Sequence, residues 1–234
     1  MKSDTLLQAF VEETGFGNWF LRSDTWLEFV LQRALDDLQR MMPTGFQPQR
    51  ILDVGCGFGL SFDELARRFA PDQIAGLDAD PHLRTRAGQR AADCACPVTL
   101  TEGNAAALPW ADGHFDMVFC HQTFHHIVAQ EAAMAEFHRV LRPGGVLLFA
   151  ESTRKYIHSL PIKLLFRHPM DVQKTAEEYI AMVRHVGFDL PDSRVSLPYL
   201  WWSRPDMGVL EALGRKPSKD REETLVNAVA VKRA

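Results

Sequence analysis

A chain of 234 residues, 46% apolar and 24% charged, holds enough apolar material for one α/β domain and excludes a disordered or fibrous chain. Its 26 basic and 30 acidic residues leave a net charge of −4, so no overall field draws in nucleic acid. The four cysteines (Cys56, Cys94, Cys96, Cys120) lack zinc-ligand spacing and no stretch has membrane-span length, so reduced, mostly buried thiols in a soluble cytoplasmic protein are expected.

In chain order, "TLLQAFVEE" repeats apolar residues at helical spacing, and "GFG" reads as its stop. "SDTWLEFVLQRALDDLQRMM" opens on a Ser-Asp cap and predicts one long helix; "PTGFQPQ" is a linker. From residue 50 strands alternate with helices: "RILDV", "QIAGLD", "PVTLTEG", "FDMVFCH" and "GGVLLFAE" are strands, with "LSFDELARRFA", "PHLRTRAGQRAA" and "AQEAAMAEFHRVL" as the helices among them. Short apolar strands alternating in this way predict parallel βαβ units, hence a doubly wound sheet covered on both faces. "VQKTAEEYIAMVRHVGF" is a helix stopped by Gly187, "DLPDSRVSL" a strand, and "ETLVNAVAVKRA" the last strand.

Ligands of such sheets bind beyond the carboxyl ends of the strands, where "ILDVGCGFGL" places Gly55, Gly57 and Gly59. The glycines allow a tight turn with backbone pressed against a ligand. A dinucleotide fingerprint wants its last glycine where this chain has Leu60, and Asp53 just before the loop would repel a pyrophosphate while suiting a cation. Asp78 closes the second strand, where a carboxylate can accept from both hydroxyls of a ribose; its bland alternative is a helix cap, a role Asp80 fills better. Asn104 follows the third strand, where its amide oxygen can accept from an adenine amino group or simply shape a turn.

"ILDVGCGFG", "GLDAD", "LPWADGHFDMVFC" and "RVLRPGGVLLFAE", in register over about residues 48 to 151, resemble the class I S-adenosylmethionine-dependent methyltransferases, closest to the small-molecule type that includes the ubiquinone and menaquinone enzymes. The resemblance implies a Rossmann-like α/β fold with a seven-stranded sheet whose last strand is antiparallel. It also implies S-adenosyl-L-methionine as cofactor and S-adenosyl-L-homocysteine as product. Asp53 and the loop at Gly55, Cys56 and Gly57 would hold the methionine portion, and Asp78 the ribose. Ala79 would pack on adenine, and Asn104, standing where the family has an acid, would read its edge with the Ala105 amide. His121 would lie beside the reactive methyl.

Methyl transfer from a sulfonium is an in-line displacement, and a base is needed only for an acceptor that keeps its proton. "HQTFHHI" supplies His121, His125 and His126 where such a base could stand, with a structural alternative for His121 and His126. No metal is expected, because the adjacent His125 and His126 should point apart without a suitably spaced carboxylate. Residues 1–234 read as a single domain: N-terminal helices (1–47), a cofactor-binding core (48–151) and cap insertions (152–172 and 197–220). The cap should line an acceptor pocket with Trp19, Phe20, Tyr199 and Trp201, with Arg154 and Lys155 at its mouth. The basic, leucine-rich stretch at 154–167 leaves peripheral membrane contact open, beside the plainer reading of a solvated lid. A small-molecule acceptor is expected, with a protein or RNA substrate, or a noncatalytic cofactor-binding module, as the competing readings.

Overall fold

The structure is a computed structural model and describes residues 13–204, 209–215 and 223–233. Its centre is a sheet of six long strands: β1 (Arg50–Val54), β2 (Gln73–Asp78), β3 (Val98–Glu102), β4 (Phe115–His121), β5 (Leu141–Ser152) and β8 (Leu225–Lys232). Two two-residue strands, β6 (Phe188–Asp189) and β7 (Val195–Ser196), complete it. The order is β3-β2-β1-β4-β5-β8-β6, with β7 also pairing β8. Strands β1 to β5 pair in parallel and β8 runs antiparallel to β5, as the resemblance implied. The strand expected over "DLPDSRVSL" is broken. Pro191 has no N–H to give a ladder, and a 3-10 turn at Asp192–Arg194 separates β6 from β7. Both pieces pair antiparallel with β8 at successive positions, so together they fill the seventh place of the sheet.

Helices cover both faces. On one, α3 (Gln32–Met41), α4 (Leu60–Phe69) and α5 (Leu83–Asp93) bury Leu35, Leu38, Phe62 and Leu65 against Ile51, Met117 and Phe119. On the other, α6 (Gln130–Val140) and α9 (Ala176–His185) bury Phe137 and Tyr179 against Phe149 and Val118. A capping box between Thr175 and Glu178 starts α9, and Gly187, at φ +110°, ends its chain path.

The N-terminal region departs from expectation. The "TLLQAFVEE" segment lies almost wholly outside the described residues. "GFG" begins a helix instead of ending one. The Thr14 hydroxyl accepts from Gly17 N at 2.9 Å, capping α1 (Gly15–Phe20). Ser23 caps α2 (Asp24–Trp26) through Trp26 N, but the expected single helix contains a π turn at Leu27–Leu31 before α3. After β5 come two short helices, α7 (Arg154–Ile157) and α8 (Leu160–Leu165), followed by a 3-10 turn at Met170–Val172. Late in the chain, Val209–Ala212 forms α10.

Candidate active site

The chain order of the strands reverses between β1 and β4, and a cavity of about 600 Å³ opens beyond their carboxyl ends. That volume suits a small-molecule site, for which roughly 300–1,000 Å³ is usual. Asp53, Gly55, Cys56, Gly57, Asp78 and Ala79 line it, as do Asn104, Ala105, His121 and His126. Every residue expected to hold the donor therefore stands on one cavity.

The three loop glycines do different work. All adopt positive φ (+73°, +50° and +72°), which favours glycine on backbone grounds alone. A Cβ on Gly55 would run into the Thr123 side chain, and one on Gly59 would meet Phe62 at 2.6 Å. At Gly57 nothing lies nearer than the Gly55 carbonyl at 4.0 Å, so this residue alone turns an open backbone to the cavity. The expectation that all three glycines make room for a ligand thus narrows to Gly57.

Asp78 holds the loop in place, one carboxylate oxygen accepting from Gly57 N at 2.8 Å and the other from Asp80 N at 2.9 Å. Each oxygen keeps a second lone pair for a hydroxyl of a ligand. Asp80 accepts from His82 N, shaping the turn before α5, whose N-cap is His82 with no side-chain cap, and pairs with Arg86 at 2.8 Å. Asp53 is buried behind the loop and bonded to the Ser61 hydroxyl. Burial raises its carboxyl to about 7, the Ser61 bond opposes this, and the Asp78 charge adds to it. Asn104 accepts from Ala106 N at 2.8 Å, forming the turn that was its alternative reading, and keeps one lone pair on that oxygen.

His121 ends β4 between two aromatic rings, stacked on Phe119 at 5.8 Å and tilted against Trp26 at 5.7 Å. Its Nε2 is buried without a hydrogen-bond partner. Burial, with a smaller contribution from His125, pushes its pKa down to about 3, so the ring is neutral at any working pH. That weakness counts against the base role expected of it.

The acceptor residues read from the sequence stand elsewhere. Trp19, Phe20, Tyr199 and Trp201 do not line the cavity, and neither do Arg154 and Lys155. Trp19 is 60% exposed, and Phe20 stands in an outer aromatic layer against Trp26 and Phe166. Trp201 packs edge-on against Phe29, and the Arg204 guanidinium covers the Tyr199 ring. Arg154 and Lys155 are exposed on α7, with Arg154 3.8 Å from Glu178. Short helices turn a side chain by about 100° per residue, so a bend at their start redirects each aromatic. Trp26, which packs against His121, lines the cavity together with Leu21 and Leu31. Arg86 bridges Asn18 of α1 and Asp80, joining this wall to the donor loop.

The expected divergence of His125 and His126 is not what the structure shows. A 3-10 turn at Phe124–His126 holds their ring centroids 4.4 Å apart, and Glu151 meets His125 Nδ1 at 2.5 Å. Glu151 is fully buried and also accepts from Thr123 N and Phe124 N at 2.7 and 2.6 Å, which fixes the loop after β4. Of the cysteines, Cys56 and Cys120 are buried, while Cys94 and Cys96 are half-buried. No helix among the described residues is long and apolar enough to cross a membrane.

Residues 52–149 match a family model described as a methyltransferase domain. Over that stretch the chain is similar to the methyltransferase domain of S-adenosylmethionine-dependent enzymes, the resemblance that its sequence motifs carry. Among curated proteins, it is 31% identical over 133 residues to a malonyl-[acyl-carrier protein] O-methyltransferase of Halorhodospira halophila (56% of this chain, 45% of the relative). It is 36% identical over 104 residues to a demethylmenaquinone methyltransferase of Deinococcus radiodurans (44% and 43%). The chain thus spans under half the length of these relatives. The fold matches that of the protein bound to the Trm112 methyltransferase activator of Haloferax volcanii, with a TM-score of 0.68 at 19% identity over 94% of this chain and 96% of that one.

Proposed function

We propose that the chain transfers a methyl group from S-adenosylmethionine to a small-molecule acceptor by in-line displacement, leaving S-adenosylhomocysteine. One observation carries the reading. The described cavity lining holds four acids (Glu13, Asp53, Asp78, Asp80) and one basic side chain, Arg86, which is already paired with Asp80. Such a wall disfavours phosphate and favours a cationic ligand with hydroxyls to donate. Bound there, S-adenosylmethionine supplies an activated methyl on a sulfonium.

In this reading Asp53 faces the ammonium of the donor and Gly57 gives backbone clearance. Asp78 accepts from the ribose, while Ala79, Asn104 and Ala105 border the adenine. Neutral His121 contributes an acceptor nitrogen and a flat wall, and Trp26 and Leu21 exclude water beside it. The acceptor is a compact molecule with an apolar body, matched to Trp26, Leu21 and Ile127 in the lining. The described chain acts as one domain, its N-terminal helices and the 152–172 segment shielding the core.

Labelled methyl supplied on S-adenosylmethionine, offered with separate metabolite, protein and RNA pools, tests the proposal. Label is expected in the metabolite pool. Label in protein or RNA would replace the small-molecule assignment, and tight donor binding without turnover in any pool would favour a noncatalytic module.

A further inference from the structure

We propose that His125, His126 and His168 form a site for one divalent transition-metal ion of the zinc class, with Glu151 as the outer partner that orients His125. One ring nitrogen from each histidine lies within 4.8 Å of the others. In a tetrahedral zinc site with bonds of about 2.0–2.1 Å, ligand nitrogens stand roughly 3.3 Å apart. Rotation of the half-buried His126 and His168 about their side-chain torsions would draw the three together.

Three features set this cluster apart from histidines that merely meet. First, Glu151 occupies His125 Nδ1 and leaves Nε2 as the ligand atom, the carboxylate–histidine arrangement that fixes the tautomer at metal centres. Second, His168 comes from a distant loop that is tied down. Buried Gln173 donates from one nitrogen to both the His125 carbonyl (2.8 Å) and the Pro169 carbonyl (2.7 Å), holding the loop after α8 against the turn after β4. Third, the rings pack on one another, with centroid separations of 4.4, 4.7 and 5.1 Å. An all-imidazole donor set selects zinc, copper or nickel over magnesium or calcium, which want oxygen.

Three protein ligands leave a fourth position open, and His126 also lines the donor cavity. The ion's role in catalysis rests on the methyl-transfer reading; its binding does not. An acceptor hydroxyl or thiol coordinated there would lose its proton to solvent, as metal-bound water does near neutral pH. The resulting anion would form a bond to the methyl carbon as the carbon–sulfur bond breaks, and the sulfonium would become a neutral thioether.

The test is calorimetric titration of the chelator-treated, tag-free full chain with zinc alone, in a Cys94→Ser/Cys96→Ser background that removes the half-buried thiol pair. The expected result is one ion per chain, with His168→Ala weakening binding by more than about tenfold, the lower edge of what losing an outer partner costs. Cobalt(II) should give the visible absorption of a tetrahedral site in the background protein and lose it in the His168 variant. His168→Gln, which preserves side-chain bulk, should behave as His168→Ala does, and circular dichroism of each variant checks folding. Binding that is absent, or equal in the background protein and both folded variants, overturns the proposal. Because no donor is present, that outcome would leave the methyltransferase reading standing, whereas failure of donor binding alone would leave the ion site standing.

Discussion

Asp53 titrates near 7 in the unliganded protein, and the ammonium of the donor stabilises its charged form. Binding therefore expels a proton below that pH, and affinity should fall by up to about tenfold per pH unit as the medium is acidified through 7. Asp78 is also raised, chiefly by burial. Calorimetry across pH 5.5–8.5 checks this; Asp53→Asn should bind weakly and lose most of the slope, and an unchanged slope would assign the proton elsewhere. Asp78→Ala removes two possible acceptors for the ribose and releases Gly57 N, so donor affinity should fall by roughly 2–4 kcal/mol, about 30-fold to 10³-fold. These residues were legible in the sequence because strand ends and glycine spacing fix where a backbone turns. The acceptor wall was not. Whether Trp19 or Trp26 faces inward depends on the Thr14 and Ser23 caps and the π turn that follows them. His168 joins its cluster across 42 residues, through a loop with no periodic pattern.

At the scale of elements, the end of β5 organises the loop after β4. Glu151 receives two backbone N–H groups and the His125 ring, so Glu151→Ala leaves buried donors without partners. A loss of about 3–5 kcal/mol is expected, read as a lower urea midpoint at unchanged slope. A second device joins α1 to the donor loop: Arg86 bonds Asn18, and both Arg22 and Arg86 stand over the Phe58 ring at 5.4 and 5.2 Å. Since Arg86 is partly exposed, Arg86→Ala should cost under about 1 kcal/mol of stability while hydrogen exchange in α1 quickens and donor affinity drops several-fold. Exchange in α1 that stays unchanged would show that the cover is held by the aromatic layer alone. Parallel strands were legible because burial on both faces makes them continuous apolar runs. The outer strand was misread as continuous, since Pro191 interrupts it without altering its composition. "GFG" was misread because glycines permit a helix stop, yet here Thr14 supplies a start.

Across the whole molecule, occupation of the cavity should stabilise a fold whose N-terminal wall is tied to the donor loop by few bonds. At a hundredfold excess over its dissociation constant, S-adenosylhomocysteine adds about 2.7 kcal/mol. For a chain of this size that raises Tm by roughly 5–11 °C, whereas NAD should leave it unshifted. The resemblance implied a doubly wound sheet of seven strands with an antiparallel last one, while the order β3-β2-β1-β4-β5-β8-β6 itself comes from the structure. On the proposed reading, Asp53, Gly57 and Asp78 build a site for a cationic methyl donor. Calorimetric titration of the intact chain with S-adenosylmethionine, beside Asp78→Ala, tests it most directly. One site per chain is expected, weakened by at least about 30-fold in the variant. Absence of binding to the intact chain, or equal binding by the folded variant, would contradict it.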